Sequence, residues 1–120
     1  MGLQADASWV IALVNPQDHH HAEAVAQFQR MMISPALSAF ALGEVLSGVQ
    51  SRRKEKMKLI MDAFESVVHV DAQIAAKGAE IRVEHGLSLG DAIIVASALI
   101  HDTELLTFDK EMQSVFERLK

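Results

Sequence analysis

The segment from Leu89 to Ile100, LGDAIIVASALI, is the least polar window of the chain, yet it carries an aspartate in its first turn. A helix over this window is apolar on nearly every side, so the sequence predicts that it lies inside the protein. Ser88 precedes it and Asp91 follows three residues later, which is the Ser-x-x-acid spacing of a capping box. Capping alone explains Asp91, and a chemical role for its carboxylate requires other acids nearby.

The composition indicates a single globular domain spanning residues 1–120. The chain has 120 residues, half of them apolar, which is enough for one sizeable core and too little for two. The absence of cysteine excludes disulfides and thiolate metal sites and suits a reducing compartment. Residues 1–6 lack the features of a signal peptide, and no window reaches the roughly 18 apolar residues of a membrane span. We therefore expect a soluble, cytoplasmic protein without membrane contact.

Short β-rich runs alternate with helix-like segments along the chain. The runs that predict strands are residues 3–5, 36–39, 66–70 and 104–107, with Val115 to Leu119 as a candidate fifth strand. Asp18 and Asp71 are predicted to cap two of the helices between them. Because parallel neighbours need crossover connections, the order predicts a three-layer α/β/α sandwich around a parallel sheet of four to five strands. Ligands of such sheets bind outside the carboxyl ends of the strands.

Four acidic residues are expected near that edge of the sheet. Asp6 follows the first strand, Asp109 follows the strand at 104–107, and Glu44 lies in the helix after the second strand. Asp91 is the fourth, at the head of the buried helix. Asp6 and Asp109 have an ordinary interpretation as helix caps worth about 1 kcal/mol each, and Glu44 has one as a solvated helix residue. Independent caps, however, have no reason to gather at one end of a sheet.

A shared hollow would make these carboxylates costly to keep ionised. Two like charges about 4 Å apart repel by roughly 4 kcal/mol at an effective dielectric constant of 20, so such a cluster needs protons or a cation. Oxygen ligands and the absence of cysteine favour Mg²⁺ or Mn²⁺ over zinc. Hydrolysis of a phosphodiester bond by metal-activated water is the chemistry that such a site supports.

Four motifs in register resemble the PIN-domain family, and most closely the VapC-type toxins of bacterial toxin–antitoxin systems. They are DAS at 6–8, SAFALGEVL at 38–46, LSLGDAIIVASAL at 87–99 and LLTFD at 105–109. The resemblance covers almost the entire chain. It implies a five-stranded parallel sheet flanked by helices and metal-dependent endoribonuclease activity on single-stranded or loop RNA. It also implies a homodimer and a small antitoxin protein that covers the acidic pocket.

The resemblance also assigns roles to residues of this chain. Asp6 and Asp91 match the main metal-binding aspartates of the family, and Glu44 and Asp109 match the other acids of the catalytic set. Hydroxyl positions beside the site are matched by Ser8 and Thr107. The resemblance implies that these two hydroxyls orient carboxylates or water, although local turn or cap bonds explain them equally well.

Several other features have two interpretations. The histidines at 19–21 are interpreted as surface residues at a helix start, because successive helical side chains point about 100° apart and cannot converge on one ion. Trp9 is more typical of packing than of base stacking. The basic residues within 52–58 suit either RNA phosphates or a solvated helix face, and Arg82 either pairs with an acid near the site or lies on the surface. Gly90 replaces a proline that is frequent in the family, which predicts a less rigid approach to the neighbouring aspartate.

The predicted function is that of a Mg²⁺- or Mn²⁺-dependent endoribonuclease, the toxin of a toxin–antitoxin pair. One alternative is a catalytically inactive PIN-fold module that acts through RNA or protein contacts. Another is a different α/β phosphate enzyme. A haloacid-dehalogenase-like phosphatase would need a second aspartate where Ser8 stands, and a phospho-acceptor receiver would need an acid pair near the start, and the sequence has neither.

Overall fold

A computed structural model describes residues 2–120, and within this range four parallel strands alternate with seven helices. The strands are β1 (Leu3–Ala5), β2 (Ala36–Ser38), β3 (Val67–Val68) and β4 (Glu104–Leu106). The helices are α1 (Ala7–Val14), α2 (His21–Arg30), α3 (Ala39–Ser47), α4 (Arg53–Ala63), α5 (Ala72–His85), α6 (Leu89–Ile100) and α7 (Lys110–Leu119). Helix α1 contacts α2 and α3, α6 contacts α5 and α7, and α3 also contacts α4 and α6. The predicted three-layer α/β/α fold is confirmed, with four strands in the described range.

The sheet order β3-β2-β1-β4 places β1 between two parallel neighbours. Ala5, the last residue of β1, pairs with Leu37 on one side and with Leu106 on the other. The carboxyl ends of the three strands are therefore level, and the residues that follow them share one edge of the sheet. Asp6 and Thr107 are two of these residues, and the backbone N–H of Asp6 donates to the carbonyl of Leu106 at 3.1 Å.

The core is built around α6, as its sequence predicts. The seven residues from Ala92 to Ala98 are all buried. They pack in one cluster with buried residues of the sheet such as Ala5 and Leu37, both fully inaccessible to solvent. The first turn of α6 is less buried than its centre, so the helix begins near the surface and its central residues lie inside the molecule.

The candidate fifth strand is wrong, because residues 115–119 belong to α7. The buried members of this helix are Met112, Val115 and Phe116, at the i, i+3, i+4 spacing of one helical face. The short apolar run at 115–116 resembles a strand only when it is considered without Met112. The third strand is also shorter than the predicted 66–70, since only Val67 and Val68 pair with β2.

The predicted capping of α2 by Asp18 is wrong as well. The helix begins at His21 with His20 as its N-cap residue, and His20 makes no side-chain capping bond. The Asp18 carboxylate instead accepts the backbone N–H of His20 at 2.8 Å, and its carbonyl accepts the N–H of His21 at 2.9 Å. Asp18 therefore stabilises the turn that precedes the helix. Asp71 does cap α5, accepting the N–H of Ile74 at 2.9 Å.

Helices α5 and α6 cross at close range. A Cβ atom at Gly78 would lie 2.9 Å from Cγ1 and 3.1 Å from Cα of Ile93. Gly86 ends α5 in the left-handed region, with φ of 74°, which glycine adopts without steric cost. Among residues 2–120 no single helix has the length and hydropathy to cross a membrane, and α5 and α6 meet that standard only as a pair bent by 119°.

Gly78→Ala should destabilise the protein, because the added methyl group meets the α6 backbone rather than a flexible side-chain end. Overpacking of this kind costs about 1–3 kcal/mol. Urea unfolding monitored by circular dichroism measures it. Gly43→Ala in α3 is the matched control: its Cβ would meet nothing within 4 Å, and alanine in a helix interior is favoured over glycine by about 0.5–1 kcal/mol. A Gly78→Ala protein as stable as the wild type would contradict the close crossing.

Candidate active site

Asp6 lies at the centre of the candidate site, at the carboxyl end of β1. It is 2% exposed. Its Oδ1 accepts the backbone N–H of Trp9 at 2.9 Å and the hydroxyl of Ser8 at 2.8 Å, while Oδ2 accepts the hydroxyl of Thr107 at 2.5 Å. The predicted capping of α1 by Asp6 is confirmed. Since a carboxylate has about four lone-pair positions, three donors fix its orientation and leave acceptor capacity on Oδ2.

The two hydroxyl groups connect the start of α1 to the loop between β4 and α7. Ser8 Oγ accepts the backbone N–H of Phe108 at 3.1 Å, and Thr107 Oγ1 accepts the N–H of Asp109 at 2.9 Å. The two hydroxyl oxygens lie 3.3 Å apart. Each hydroxyl thus donates to Asp6 and accepts from the loop, so both interpretations of Ser8 and Thr107 apply: they are local turn hydroxyls, and they orient the Asp6 carboxylate.

Asp109 and Asp91 stand at the heads of α7 and α6. Asp109 caps α7, its Oδ1 accepting the N–H of Met112 at 3.0 Å. At the start of α6, the backbone N–H of Asp91 donates to Ser88 Oγ at 3.2 Å. The cap of α6 therefore uses the backbone of Asp91, and its half-buried carboxylate is not part of that bond. Glu44 lies on the exposed side of α3.

The pKa values of Asp6, Glu44 and Asp91 are raised by burial and by the charges of neighbouring acids. Burial raises the pKa of Asp6 above its ordinary value, and the charge of Asp109 adds to this, against the three hydrogen bonds that lower it. Partial desolvation, followed by the charges of Asp91 and Asp6, raises the pKa of Glu44. Desolvation, together with Asp109 and Glu111, raises the pKa of Asp91, while the bond with Ser88 opposes it. The acids therefore share one electrostatic environment.

The side chains of the site have the donor chemistry of a divalent-cation site and lack a protein counter-charge. None of the ion pairs among residues 2–120 involves Asp6, Glu44, Asp91 or Asp109, so no side-chain cation in this range neutralises them. Their oxygen donors are the ligands that Mg²⁺ and Mn²⁺ prefer. Within the same residues, however, no three acidic or histidine side chains are placed to hold one ion together. The donor chemistry fits a hard cation held by one or two carboxylates and water, which is the usual binding mode of Mg²⁺.

Trp9 is a packing residue, as its sequence context predicts. It is 1% exposed, and its indole ring lies 6.2 Å from the ring of Phe28 and 6.3 Å from that of Phe64. Its Nε1–H donates to Gln27 Oε1 at 2.7 Å. A base cannot reach this ring without unfolding the core.

The histidines at 19–21 are only in part the surface residues that were predicted. His19 is exposed, but His20 and His21 are half-buried. His21 Nδ1 lies 2.8 Å from the carbonyl oxygen of Ala12, and the ring of His20 stacks on that of Phe108. The sequence signal that was overlooked is Phe108 itself, which stands between two site residues in the LLTFD motif.

The basic segment at 52–58 divides into two groups. Arg52 pairs with Glu55 at 2.5 Å, and Arg53 donates to the carbonyls of Leu46 and Val49 at the end of α3, so both arginines have structural partners. The three lysines of the segment are exposed on α4. Arg82 is exposed and enters no ion pair within residues 2–120, in agreement with its surface interpretation.

Gly90 lies against the ring of Phe40. A Cβ atom there would lie 2.5 Å from the ring of Phe40. The ring therefore packs directly on the first turn of α6. A proline, as is frequent in the family, would require Phe40 to move.

Comparison with known proteins identifies the class. The PIN domain family model matches residues 5–117, so the chain belongs to the PIN-domain family, as its motifs predict. No curated protein sequence matches the chain. Among solved structures it is similar to VapC20 of Mycobacterium tuberculosis, described as a toxin that cleaves the sarcin–ricin loop, with a TM-score of 0.82, 22% identity and 94% coverage of both chains.

Two further solved structures share the fold. One is a toxin–antitoxin complex from Klebsiella pneumoniae, with a TM-score of 0.76, 25% identity and coverage of 91% of this chain and 87% of that one. The other is FitAcB from Neisseria gonorrhoeae, with a TM-score of 0.76, 21% identity and coverage of 96% and 93%. The predicted resemblance to VapC-type proteins agrees with these neighbours.

Thr107→Val should raise the pKa of Asp6 further. The threonine hydroxyl donates to the ionised carboxylate and so favours it, and valine has the same shape without the donor. Titration of the Asp6 carboxyl carbon by NMR measures the shift. Thr103→Val, which removes a hydroxyl bonded to the carbonyl of Ala98, should leave this pKa unchanged. A fall in the pKa of Asp6 in Thr107→Val would contradict the assigned bond.

Proposed function

We propose that the protein is a divalent-metal-dependent endoribonuclease and the toxin of a toxin–antitoxin pair. The observation that carries the proposal is the state of Asp6. This buried carboxylate is fixed by three donors at the edge of the sheet, burial and the charge of Asp109 raise its pKa, and no protein cation within residues 2–120 pairs with it. Membership of the PIN-domain family supports the same conclusion.

In this proposal, Asp6 and Asp91 are the main metal ligands, with Glu44 and Asp109 as the other acids of the site. A bound divalent ion supplies activation of a water molecule and charge to stabilise the leaving oxygen. The residues of the chain provide orientation: Ser8 and Thr107 hold the Asp6 carboxylate toward the site, and the capping bond of Asp109 fixes the head of α7. The burial of Asp6 excludes water from one side of the carboxylate and strengthens its interaction with a cation.

The partners follow from the same proposal. The substrate is RNA, which the protein would cleave in the cytoplasm. A small antitoxin protein would bind the toxin, in keeping with the toxin–antitoxin complex of Klebsiella pneumoniae among the structural neighbours. We also propose that residues 1–120 form one PIN-like domain that assembles as a homodimer.

A second candidate is a catalytically inactive PIN-fold binding module. It is favoured by one observation, that no three acidic or histidine side chains within residues 2–120 are placed to hold an ion together. Metal binding and cleavage distinguish the two candidates.

Asp6→Asn and Asp91→Asn should each lower RNA cleavage at least about 100-fold, because even residues that only orient metal ligands contribute about 10- to 100-fold. Gel assays on defined RNAs with Mg²⁺ or Mn²⁺ measure the rate. Asp62→Asn, an exposed acid on α4, is the control and should retain full activity. Equal cleavage in the presence of EDTA, or undiminished cleavage by both site variants, would refute the proposal.

The metal-free protein should lose stability as the pH rises. The folded-state pKa values of Asp6, Glu44 and Asp91 are raised, so the folded state holds these protons more tightly than the unfolded state. The resulting stability is fully present below the ordinary carboxyl pKa of about 4 and is lost as the pH passes through the raised values.

Added Mg²⁺ or Mn²⁺ should reverse this loss, because metal ions bind the deprotonated carboxylates of the folded protein. Melting temperatures measured with EDTA and with excess metal should therefore diverge as the pH increases. In Asp6→Asn the metal-dependent gain should shrink. Identical melting curves with and without metal at neutral pH would favour the inactive binding module.

A further inference from the structure

Three aromatic rings form a stack beside the candidate site, which we call the aromatic ladder (His19, His20 and Phe108). The rings of His20 and Phe108 are parallel, with an interplanar angle of 2° and centroids 4.3 Å apart. The centroid of His19 lies 4.1 Å from that of His20, at an angle of 42°. His19 is exposed, whereas the other two residues are half-buried. The ladder is therefore open to solvent at the His19 end.

The ladder is attached directly to the candidate site. Phe108 stands between Thr107, which donates to Asp6, and Asp109, which caps α7. Its backbone N–H donates to Ser8 Oγ at 3.1 Å. Because adjacent Cα atoms are only about 3.8 Å apart, the ladder begins within one residue of two members of the site.

The turn that carries the histidines is also fixed. The Asp18 carboxylate accepts the backbone N–H of His20 at 2.8 Å. On the other side of the ladder residues, His21 Nδ1 lies 2.8 Å from the carbonyl oxygen of Ala12 in α1. The first contact orders the turn itself and the second attaches it to α1, so the backbone that carries the two histidines of the ladder has defined contacts in the protein alone.

We propose that the aromatic ladder is a platform on which a base of single-stranded RNA stacks, at the exposed His19 end. Unpaired bases stack on histidine and on other aromatic rings with little dependence on sequence. The inference rests on the proposed function only in taking RNA as the ligand. The proposal assigns RNA binding to His19, His20 and Phe108, which are not among the four acids and two hydroxyl residues of the candidate site.

Because the protein is negatively charged, a contact with an RNA base is expected to contribute more to affinity than contacts with the phosphates. The chain has a net charge of -5, and the acids of the site repel phosphate groups. Stacking does not depend on the charge of the backbone, so it adds affinity that this repulsion does not cancel. The buried Trp9 cannot take the role of the ladder.

The test is the binding of a short RNA that carries 2-aminopurine, whose fluorescence is quenched by stacking. The experiment uses the full chain with EDTA, so that metal-dependent cleavage does not interfere. Wild-type protein should quench the fluorescence, and His19→Ala and His20→Ala should each weaken binding about tenfold, in line with the loss of one stacked base. His20→Phe keeps the ring and should keep the quenching. His101→Ala, an exposed histidine at the end of α6, should behave as the wild type.

An abasic RNA of the same length and charge is the matched ligand control. It should compete poorly with the 2-aminopurine RNA, because it offers phosphates and no bases. Equal competition by the abasic RNA would overturn the platform, as would the absence of quenching by the wild type. Unchanged quenching in His20→Ala, accompanied by a lower melting temperature, would also overturn it and would show that the ladder only holds the loop in place.

The binding experiment in EDTA and the cleavage assay with Mg²⁺ or Mn²⁺, taken together, separate this proposal from the proposed function. A protein that quenches 2-aminopurine through His19 and His20 but leaves RNA intact with Mg²⁺ and Mn²⁺ would refute the nuclease and keep the platform. A protein that cleaves RNA without any quenching would refute the platform and keep the nuclease.

Discussion

The buried carboxylate of Asp6 is the group on which the rest of the site depends. It lies at the end of the central strand, where the level ends of β1, β2 and β4 bring their following residues to one edge. Burial opposes its ionisation and three hydrogen bonds favour it, and burial is the larger effect. A buried carboxylate is poorly solvated by water. Its attraction to a cation is stronger in this low-dielectric environment than at the surface, so it is well suited to bind a metal ion.

The residues proposed as metal ligands also take part in helix capping. Asp6 and Asp109 each use one carboxylate oxygen to cap a helix, and the backbone N–H of Asp91 donates to Ser88, which caps α6. Capping bonds fix the backbone at three helix starts, and the remaining oxygens are directed by the hydroxyl groups or left uncommitted. Helix N-termini also favour negative charge, which offsets part of the repulsion between the acids. The fold thus tolerates a concentration of carboxylates that an unstructured chain would disperse.

Much of the fold could be predicted from the sequence because its signals are local. The apolar run of α6, the caps at Asp6, Asp71 and Asp109, and the Gly86 terminus each follow from a few adjacent residues. The errors arose where a short pattern was considered without its context. Residues 115–119 were predicted as a strand because Met112, which completes the helical face, was not included.

The site was predictable at the level of residue types and less so at the level of geometry. The level register of the strands explains why distant acids act on one another, and motif spacing signals that arrangement. Whether three carboxylates surround one ion depends on the positions of their side chains. The spacing of motifs along the sequence does not determine these positions. The stacking of His20 on Phe108 joins residues far apart in the chain. Neither residue has a local pattern that indicates the other, so only the folded structure reveals the contact.

We propose that protonation or a bound metal ion is what makes the group of acids around Asp6 favourable in the folded protein. Calorimetric titration of Mn²⁺ at weakly acidic pH, repeated in buffers with different ionisation enthalpies, tests it directly by counting the protons released on binding. We expect specific binding with net proton release in the wild type, and a loss of both in Asp6→Asn. Binding without proton release, or no specific binding at all, would contradict it.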